Sequence, residues 1–310
     1  MAGLGAMFGA NAVTTFMGLP AGEPGQAGAR GAILGVTGVT PYAAVGPYCA
    51  QGPSAIRKEA ADYAASISHV DFDAETPVFP AEPDVIDCGD LDYHPTDFAV
   101  NRERVRNAVD AMLREDTVPI LIGGDDSLPI PMLDAYAKTG PITILQIDAH
   151  IDWRDSVGGE RMGLSSGMRR ASEMAHVSDI IQVGARGIGS ARAADLADAR
   201  NWGVQFVTAR SVARGGVAPV IDLIPAGARV VIALDADALD PAIVPGVIGR
   251  VPGGLSYWDV VDLIEGTASR GTIAGFEIAE FMPARDVHGI GALTCARLIA
   301  TVIRNLPRPD

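Results

Sequence analysis

The stretch ILQIDAHIDWRD, residues 144–155, decides how the rest of the chain is read. Ile144, Leu145 and Ile147 form a short apolar run with the character of a buried strand, and Asp148, His150, Asp152 and Asp155 follow at once. A strand that runs into carboxylates and an imidazole puts charge where open α/β sheets hold their ligands, outside the strands' carboxyl ends. By itself the stretch reads equally well as an acidic loop with a lone histidine. Two other stretches repeat it. VPILI at 118–122 runs into Gly123, Gly124, Asp125, Asp126 and Ser127, and VVIAL at 230–234 runs into Asp235, Asp237 and Asp240. Carboxylates crowded together repel and resist ionising, a conflict that a divalent cation removes.

Working outward, strands are predicted at 32–36, 85–88, 118–122, 142–147, 180–183, 204–206, 230–234 and 273–278, and helices at 54–67, 101–114, 128–137, 191–200, 217–224, 257–269 and 292–303. Val105, Val109, Met112 and Leu113 recur at helical spacing. Ser256 followed by Asp259 marks a capped helix start. Strands alternating with helices imply a mostly parallel sheet with right-handed crossovers. Residues 1–30, rich in Gly, Ala and Pro, read as an arm packed over the body or a neighbouring subunit, and 31–310 as a single domain. The loop before Pro53 is of the long kind that often carries function. Asp87, Asp90 and Asp92 surround Gly89 in a turn of a kind that is acidic for structural reasons, so they are expected to support the site at most. GARGIG at 184–189 has its glycines in the wrong order for a dinucleotide fingerprint and reads as a turn.

Composition excludes several classes. A chain of 310 residues can bury a substantial core. Hydrophobic residues make up 48% of it and aromatics only 5%, as suits strands covered by helices on both faces. A formal charge of −14 argues against nucleic acid or an anionic membrane as partner. Cys49, Cys88 and Cys295 are odd in number and far apart, which fits buried thiols in a reducing compartment. The opening MAGLGAMFGANAVTTFMG lacks a basic start, and no apolar run approaches the ~20 residues of a membrane span. A cytoplasmic protein is expected.

GGDDS at 123–127, DAHID at 148–152, DADALDP at 235–241 with PGG at 252–254, and FEIAEFMP at 276–283 together resemble the signatures of the ureohydrolase family, the arginases and agmatinases. The resemblance runs from GPSAIR at 52–57 almost to the carboxyl terminus, and its tone is agmatinase-like. It implies a three-layer α/β/α fold with an eight-stranded, mostly parallel sheet. It also implies a binuclear manganese centre, with nickel as the alternative, that activates a bridging hydroxide for attack on a guanidinium carbon, releasing urea and an amine. By position, one metal would be held by Asp126, Asp148, Asp152 and Asp235, and the other by Asp148, His150, Asp235 and Asp237. Carboxylates with one imidazole suit manganese better than zinc or copper. Asp152 is also expected to serve in catalysis. Glu280 matches the glutamate that pairs with the guanidinium in a planar fork, with Glu277 in support. Without the upstream motifs, both glutamates would read as ordinary salt bridges at a strand end. A homo-oligomer, trimer or hexamer, is implied too.

Two departures bear on the chemistry. The family pattern is GGDHS, so Asp126 stands where a histidine ligand is expected, and its added negative charge makes a metal-bound water less acidic while drawing a cation more strongly. Downstream of DAHID, Met162 precedes Gly163 where the family carries a proton-transferring histidine. Either that task passes to His288, better placed after the last strand, to His176 or to solvent, or the chemistry differs. Trp153 can wall a substrate pocket and stack on a planar cation or belong to the core. Arg169 and Arg170 can read a substrate carboxylate or lie on a solvated helix. Two functions follow. The first is a metal-dependent amidinohydrolase for a small cationic, agmatine-like guanidino substrate, favoured because the metal positions keep ligand-competent residues. The second, favoured by the paired departures, is a non-catalytic ureohydrolase-fold subunit that supports an active partner or binds a small cation.

Overall fold

The apolar runs assemble into one eight-stranded sheet, seen in a computed structural model that describes residues 13–79 and 83–308. Its strands are β1 (Gly31–Val36), β2 (Val85–Leu91), β3 (Val118–Ile122), β4 (Ile142–Ile147), β5 (Val177–Val183), β6 (Gln205–Val207), β7 (Arg229–Asp235) and β8 (Thr272–Ala279). They lie in the order β2-β1-β3-β8-β7-β4-β5-β6, every pair parallel. A separate hairpin pairs Val70–Asp71 with Thr76–Pro77. β1, β3 and β4 are buried along their whole length, which is why their sequences run continuously apolar instead of alternating.

Helices cover both faces. They are α1 (Gly52–Ala60), α2 (Phe98–Arg114), α3 (Pro129–Asp134), α4 (Gly167–Ala171), α5 (Ala193–Trp202), α6 (Ala209–Gly215), α7 (Ala218–Ile221), α8 (Tyr257–Arg270) and α9 (Ile290–Arg304). Successive residues of β3 point to opposite faces. Ile120 and Ile122 join Ile56, Ile264 and Leu298 in one core, while Leu121 joins Val105, Met112 and Leu133 in the other. This is the expected three-layer α/β/α architecture. Ser256 and Asp259 exchange reciprocal bonds at the start of α8, as their spacing suggests.

Three helices are shorter than expected. α1 stops at Ala60 and leaves only a 3-10 turn at Ala61–Tyr63, since none of residues 61–70 is buried and a helix there has no core to lean on. α7 ends at Ile221 because Pro225 disfavours helical backbone at Ile224. The helix expected at 128–137 is divided into α3 and a 3-10 turn at Ala135–Lys138.

Residues 1–12 lie outside the described residues. In the remainder of the amino-terminal segment Phe16 and Met17 are buried, and Phe16 N donates to Asp87 Oδ2 at 2.7 Å. Asp87 is also held by Arg57 of α1 through two bonds of 2.8 Å, and Asp90 pairs with the same guanidinium. These acids therefore tie α1 and the amino-terminal segment to β2. Cys49 and Cys295 are buried, Cys88 is half-buried, and all are free thiols. Among the described residues no helix is long and apolar enough to cross a membrane.

Candidate metal centre

β3, β8, β7 and β4 are consecutive in the sheet, and their carboxyl ends carry the four acidic motifs. The register pairs Ile122 with Ile278, Ile278 with Leu234, and Leu234 with Ile147. Asp148 and Asp235, one residue further along, therefore stand level. Ligand atoms of Asp148, His150, Asp235 and Asp237 lie within 4.8 Å of one another, and so do those of Asp126, Asp148 and Asp152. Asp148 belongs to both groups. Asp235 falls with His150 and Asp237 and is absent from the group around Asp126, where the resemblance implied it would bridge. A cavity of about 210 Å³ opens above, lined among others by Asp126, His150, Asp152, Asp235, Asp237 and Glu280.

Local turns aim these carboxylates. Asp148 Oδ1 accepts from His150 N at 2.6 Å, and Asp235 Oδ1 accepts from Asp237 N at 2.6 Å. Each aspartate thus closes its own turn two residues on. At Gly124 a Cβ would stand 2.4 Å from Thr37 O, so glycine allows the loop after β1 to close on the site. Asp125 fastens that loop, accepting from Val39 N at 2.9 Å. Asp152 and Glu280 adopt left-handed backbone, φ +42° and +63°, strain of the kind that gathers at functional sites.

The electrostatics show what the groups lack. Burial, then the neighbouring carboxylates, pushes Asp126, Asp152 and Asp235 well above the ordinary carboxylate range. Asp126 Oδ2 is buried without a hydrogen-bond partner among the described residues. Although burial opposes it, His150 is raised to about 12 by bonds to Asp148 and Asp237, its Nδ1 lying 3.2 Å from Asp237 Oδ2. An imidazolium is thus the cluster's only internal cation among the described residues. Buried oxygen donors with one imidazole fit a divalent metal, which would neutralise these charges at once.

A pH dependence follows. Where folding raises a carboxyl pKa, the native state binds more protons than the unfolded state, and stability falls as pH rises from the unfolded value toward the folded one. For Glu280 that window runs from 4.5 to about 8, and Asp126, Asp152 and Asp235 shift in the same direction. The chelated protein is expected to melt at progressively lower temperature from about pH 5 to about pH 8, with added divalent metal restoring most of the loss. A constant gap between metal-loaded and chelated melting curves over that range would contradict this account.

Glu280 is buried and accepts from Asp126 N at 3.0 Å and from the Tyr48 hydroxyl. Burial raises it to about 8, and these two bonds restrain the rise. Tyr48 comes from the loop after β1 and carries no motif, so the sequence offered no sign of it. Tyr48→Phe removes one of these bonds and should raise the Glu280 pKa further. A hydrogen bond to a charged group is worth about 1.5–3 kcal/mol, so the ionised form of Glu280 near neutrality should become about tenfold scarcer, to be read by infrared titration of the carboxylate in wild type and variant.

The other candidates fall elsewhere. Glu277 is fully buried with neither oxygen bonded among the described residues, and burial, Asp148 and Glu280 push its pKa up. Burial thus favours the neutral form of this acid beside Asp148 and Glu280. Trp153 borders the cavity and is buried, donates to Asp198 Oδ2 at 2.8 Å and packs edge-on against Trp202. His288 is exposed and does not line the cavity, so the expected proton carrier is not brought to the site. The chain turns at Asp286, whose carboxylate caps the start of α9 and carries His288 outward. His176 bonds Leu133 O beside the start of β4, at the opposite end of the sheet. Met162 lines a neighbouring cavity together with Arg170. His150 is the only histidine among the described residues that lines the metal cavity. Asp155 is exposed and pairs with Arg161 and Arg170, while Arg169 pairs with Glu173, so none of these reaches the metal groups. Asp240 holds the following loop, accepting from Gly253 N and Gly254 N.

The chain is similar to known proteins in sequence and fold. Arginase 1, mitochondrial, of Arabidopsis thaliana is 30% identical over 225 residues, 69% of this chain. The chain matches 64% of that protein's length and 61% of the mitochondrial arginase of Medicago truncatula. Proclavaminate amidinohydrolase of Streptomyces clavuligerus is 29% identical over 307 residues, covering 96% of this chain and 94% of its own. Its solved structure agrees with a TM-score of 0.82 at 27% identity, over 96% of this chain and 97% of that one. In fold alone, formimidoylglutamase of Bacillus subtilis agrees with a TM-score of 0.81 over 94% of this chain and 92% of that one. The arginase family model matches residues 32–304, from β1 to the last residue of α9, and so takes in every strand end that carries an acidic motif. The chain belongs to the arginase family.

Proposed function

We propose that the chain is a metal-dependent amidinohydrolase that cleaves an agmatine-like guanidino compound to urea and an amine. The observation that carries this reading is the pair of ligand groups sharing Asp148, whose other members line a cavity that Glu280 also borders. Two manganese ions, or nickel in their place, would be held by Asp126, Asp148 and Asp152 and by Asp148, His150, Asp235 and Asp237. Bound there, the metals supply an activated water for attack on the guanidinium carbon.

The chain's own groups do the rest. Glu280 orients the guanidinium by a charge-assisted pair, and Tyr48 and the Asp126 N–H hold its carboxylate in place. Asp152 sits at the turn between the metal group and the cavity wall, and Trp153 closes that wall. Solvent carries the proton to the leaving amine, since His288 faces away. Family membership supports a homo-oligomer, trimer or hexamer, and a cytoplasmic setting accords with free thiols. Relatives act, by their names, on arginine, agmatine, proclavaminate-type and formimidoyl compounds, so the tail of the substrate is the open variable.

Asp126 and Met162 favour a second reading, a non-catalytic subunit that supports an active partner or binds a small cation. Manganese content per chain after gel filtration, followed by urea release from a guanidino panel, separates the two. Two ions and urea from at least one compound are expected. A protein that binds no metal, or a fully loaded one that releases no urea from any, would overturn the enzyme reading. Asp126→His removes one negative charge, so the activated water becomes more acidic and the acid limb of the rate profile should move to lower pH. The subunit reading expects no urea from either form.

A further inference from the structure

Gln146 and Gln182 sit where a sheet interior normally holds apolar side chains. They are paired in register across β4 and β5 and are 2% and 1% exposed. Burying a primary amide costs stability unless its hydrogens are bonded. Here the donors are spent on the metal groups and the loop beside them. Gln146 Nε2 donates to Asp148 Oδ2 at 2.6 Å and to Asp152 Oδ2 at 2.6 Å. Gln182 Nε2 donates to Gln146 Oε1 and, at 2.9 Å, to Ile151 O.

This relay has a direction. Gln182 supplies a hydrogen, so Gln146 must turn its oxygen toward Gln182 and its NH₂ toward the aspartates. The bond to Ile151 O fixes the residue just before Asp152, whose backbone is left-handed. Asp148 and Asp152 are thus held by two N–H groups, and Asp126 completes their group with a buried oxygen that has no hydrogen-bond partner among the described residues. That group is made wholly of carboxylates, because Asp126 replaces an imidazole. Two amide hydrogens set against two of its three carboxylates oppose the charge that Asp126 adds.

We propose that Gln146, oriented by Gln182, is a positioning residue for the metal site formed by Asp126, Asp148 and Asp152, and that it compensates for the carboxylate at position 126. The proposal rests on the metal reading above. Groups that orient metal ligands typically contribute about 10–100-fold in affinity.

The test is manganese titration of metal-free wild-type, Gln146→Met and Gln182→Met proteins by calorimetry, with melting curves in chelator and in manganese. Methionine keeps the length of glutamine and removes its donors. Gln146→Met should weaken one of two ions about 10–100-fold and leave the other unchanged, with a correspondingly smaller melting shift on adding manganese. Gln182→Met keeps the amide of Gln146 but frees it to rotate, and should weaken the same ion less. This second variant also carries the test if Gln146→Met does not fold.

In an Asp126→His background the loss from Gln146→Met should shrink several-fold. Two ions bound by both methionine variants with unchanged affinity would overturn the proposal, as would a lower melting temperature in chelator with affinity untouched. An equal loss in both backgrounds would overturn the compensation for Asp126. Wild-type protein that binds no manganese would overturn the metal reading itself, and this inference with it.

Discussion

Asp235→Asn should lose at least one metal and about a thousandfold or more in urea release, equivalent to roughly 4 kcal/mol of transition-state stabilisation, while its fold survives. Asp235 Oδ1 caps the turn after β7 by accepting from Asp237 N at 2.6 Å, and an asparagine oxygen can accept the same bond. What disappears is one buried negative charge in the group with Asp148, His150 and Asp237. In the metal-free protein that charge is a burden, since burial first, and then Asp237, Asp148 and Glu280, raise the pKa of Asp235. The chelated variant should therefore melt higher than chelated wild type near pH 8, by on the order of 2 °C, whereas the manganese-loaded variant should melt lower than loaded wild type. Opposite shifts in the two conditions are the signature of a residue kept for its ligand. Retained metal together with retained activity would remove Asp235 from the centre.

Glu280→Gln should cost about 10²–10⁴ in kcat/KM, because removing one partner of a buried charge pair costs roughly 3–5 kcal/mol, and it should leave metal content unchanged. The bonds from Tyr48 and Asp126 N both arrive at Oε1, and a glutamine oxygen accepts them equally, so the backbone need not move. The guanidinium, however, meets a neutral amide in place of a carboxylate. Only ionised Glu280 pairs with a cation, and burial raises this group to about 8 without metal. Bound cations lower it, so wild-type kcat/KM should fall as pH drops through an acid limb below that value. Glu280→Gln has no such group to titrate and should lose this limb. Metal content sets this variant apart from Asp235→Asn. A fall in metal matching the fall in activity would show that Glu280 acts on the metals instead of the substrate.

The strands and the acidic donors were legible for the same reason. In a parallel sheet buried on both faces, a strand is a continuous apolar run, and each donor closes one. The order of runs and aspartates along the chain thus maps directly onto positions at the carboxyl ends. Asp148, His150 and Asp152 are brought together by one local turn, and Asp235 and Asp237 by another. Helix ends were less legible, because α1 and α7 stop where tertiary burial or a downstream proline ends their support, and their own spacing does not show it.

Other members of the site depend on contacts that no spacing encodes. Tyr48 reaches Glu280 across 232 positions of sequence, and Gln146 meets Gln182 only because β4 and β5 are neighbours in register. Neither pairing leaves a local pattern. His288 shows the converse: it follows the last strand closely, yet the turn that caps α9 sends it outward. By itself the sequence determined the sheet, the family and the residues able to bind metal, since these rest on local periodicity and on motifs closed within a few residues. Only the tertiary structure decided which carboxylates come within ligand distance of one another, that Asp235 groups with His150 and Asp237, and which buried amides and hydroxyls hold the acids in place. Those outcomes depend on strand order, register and burial, which arise only when distant segments pack.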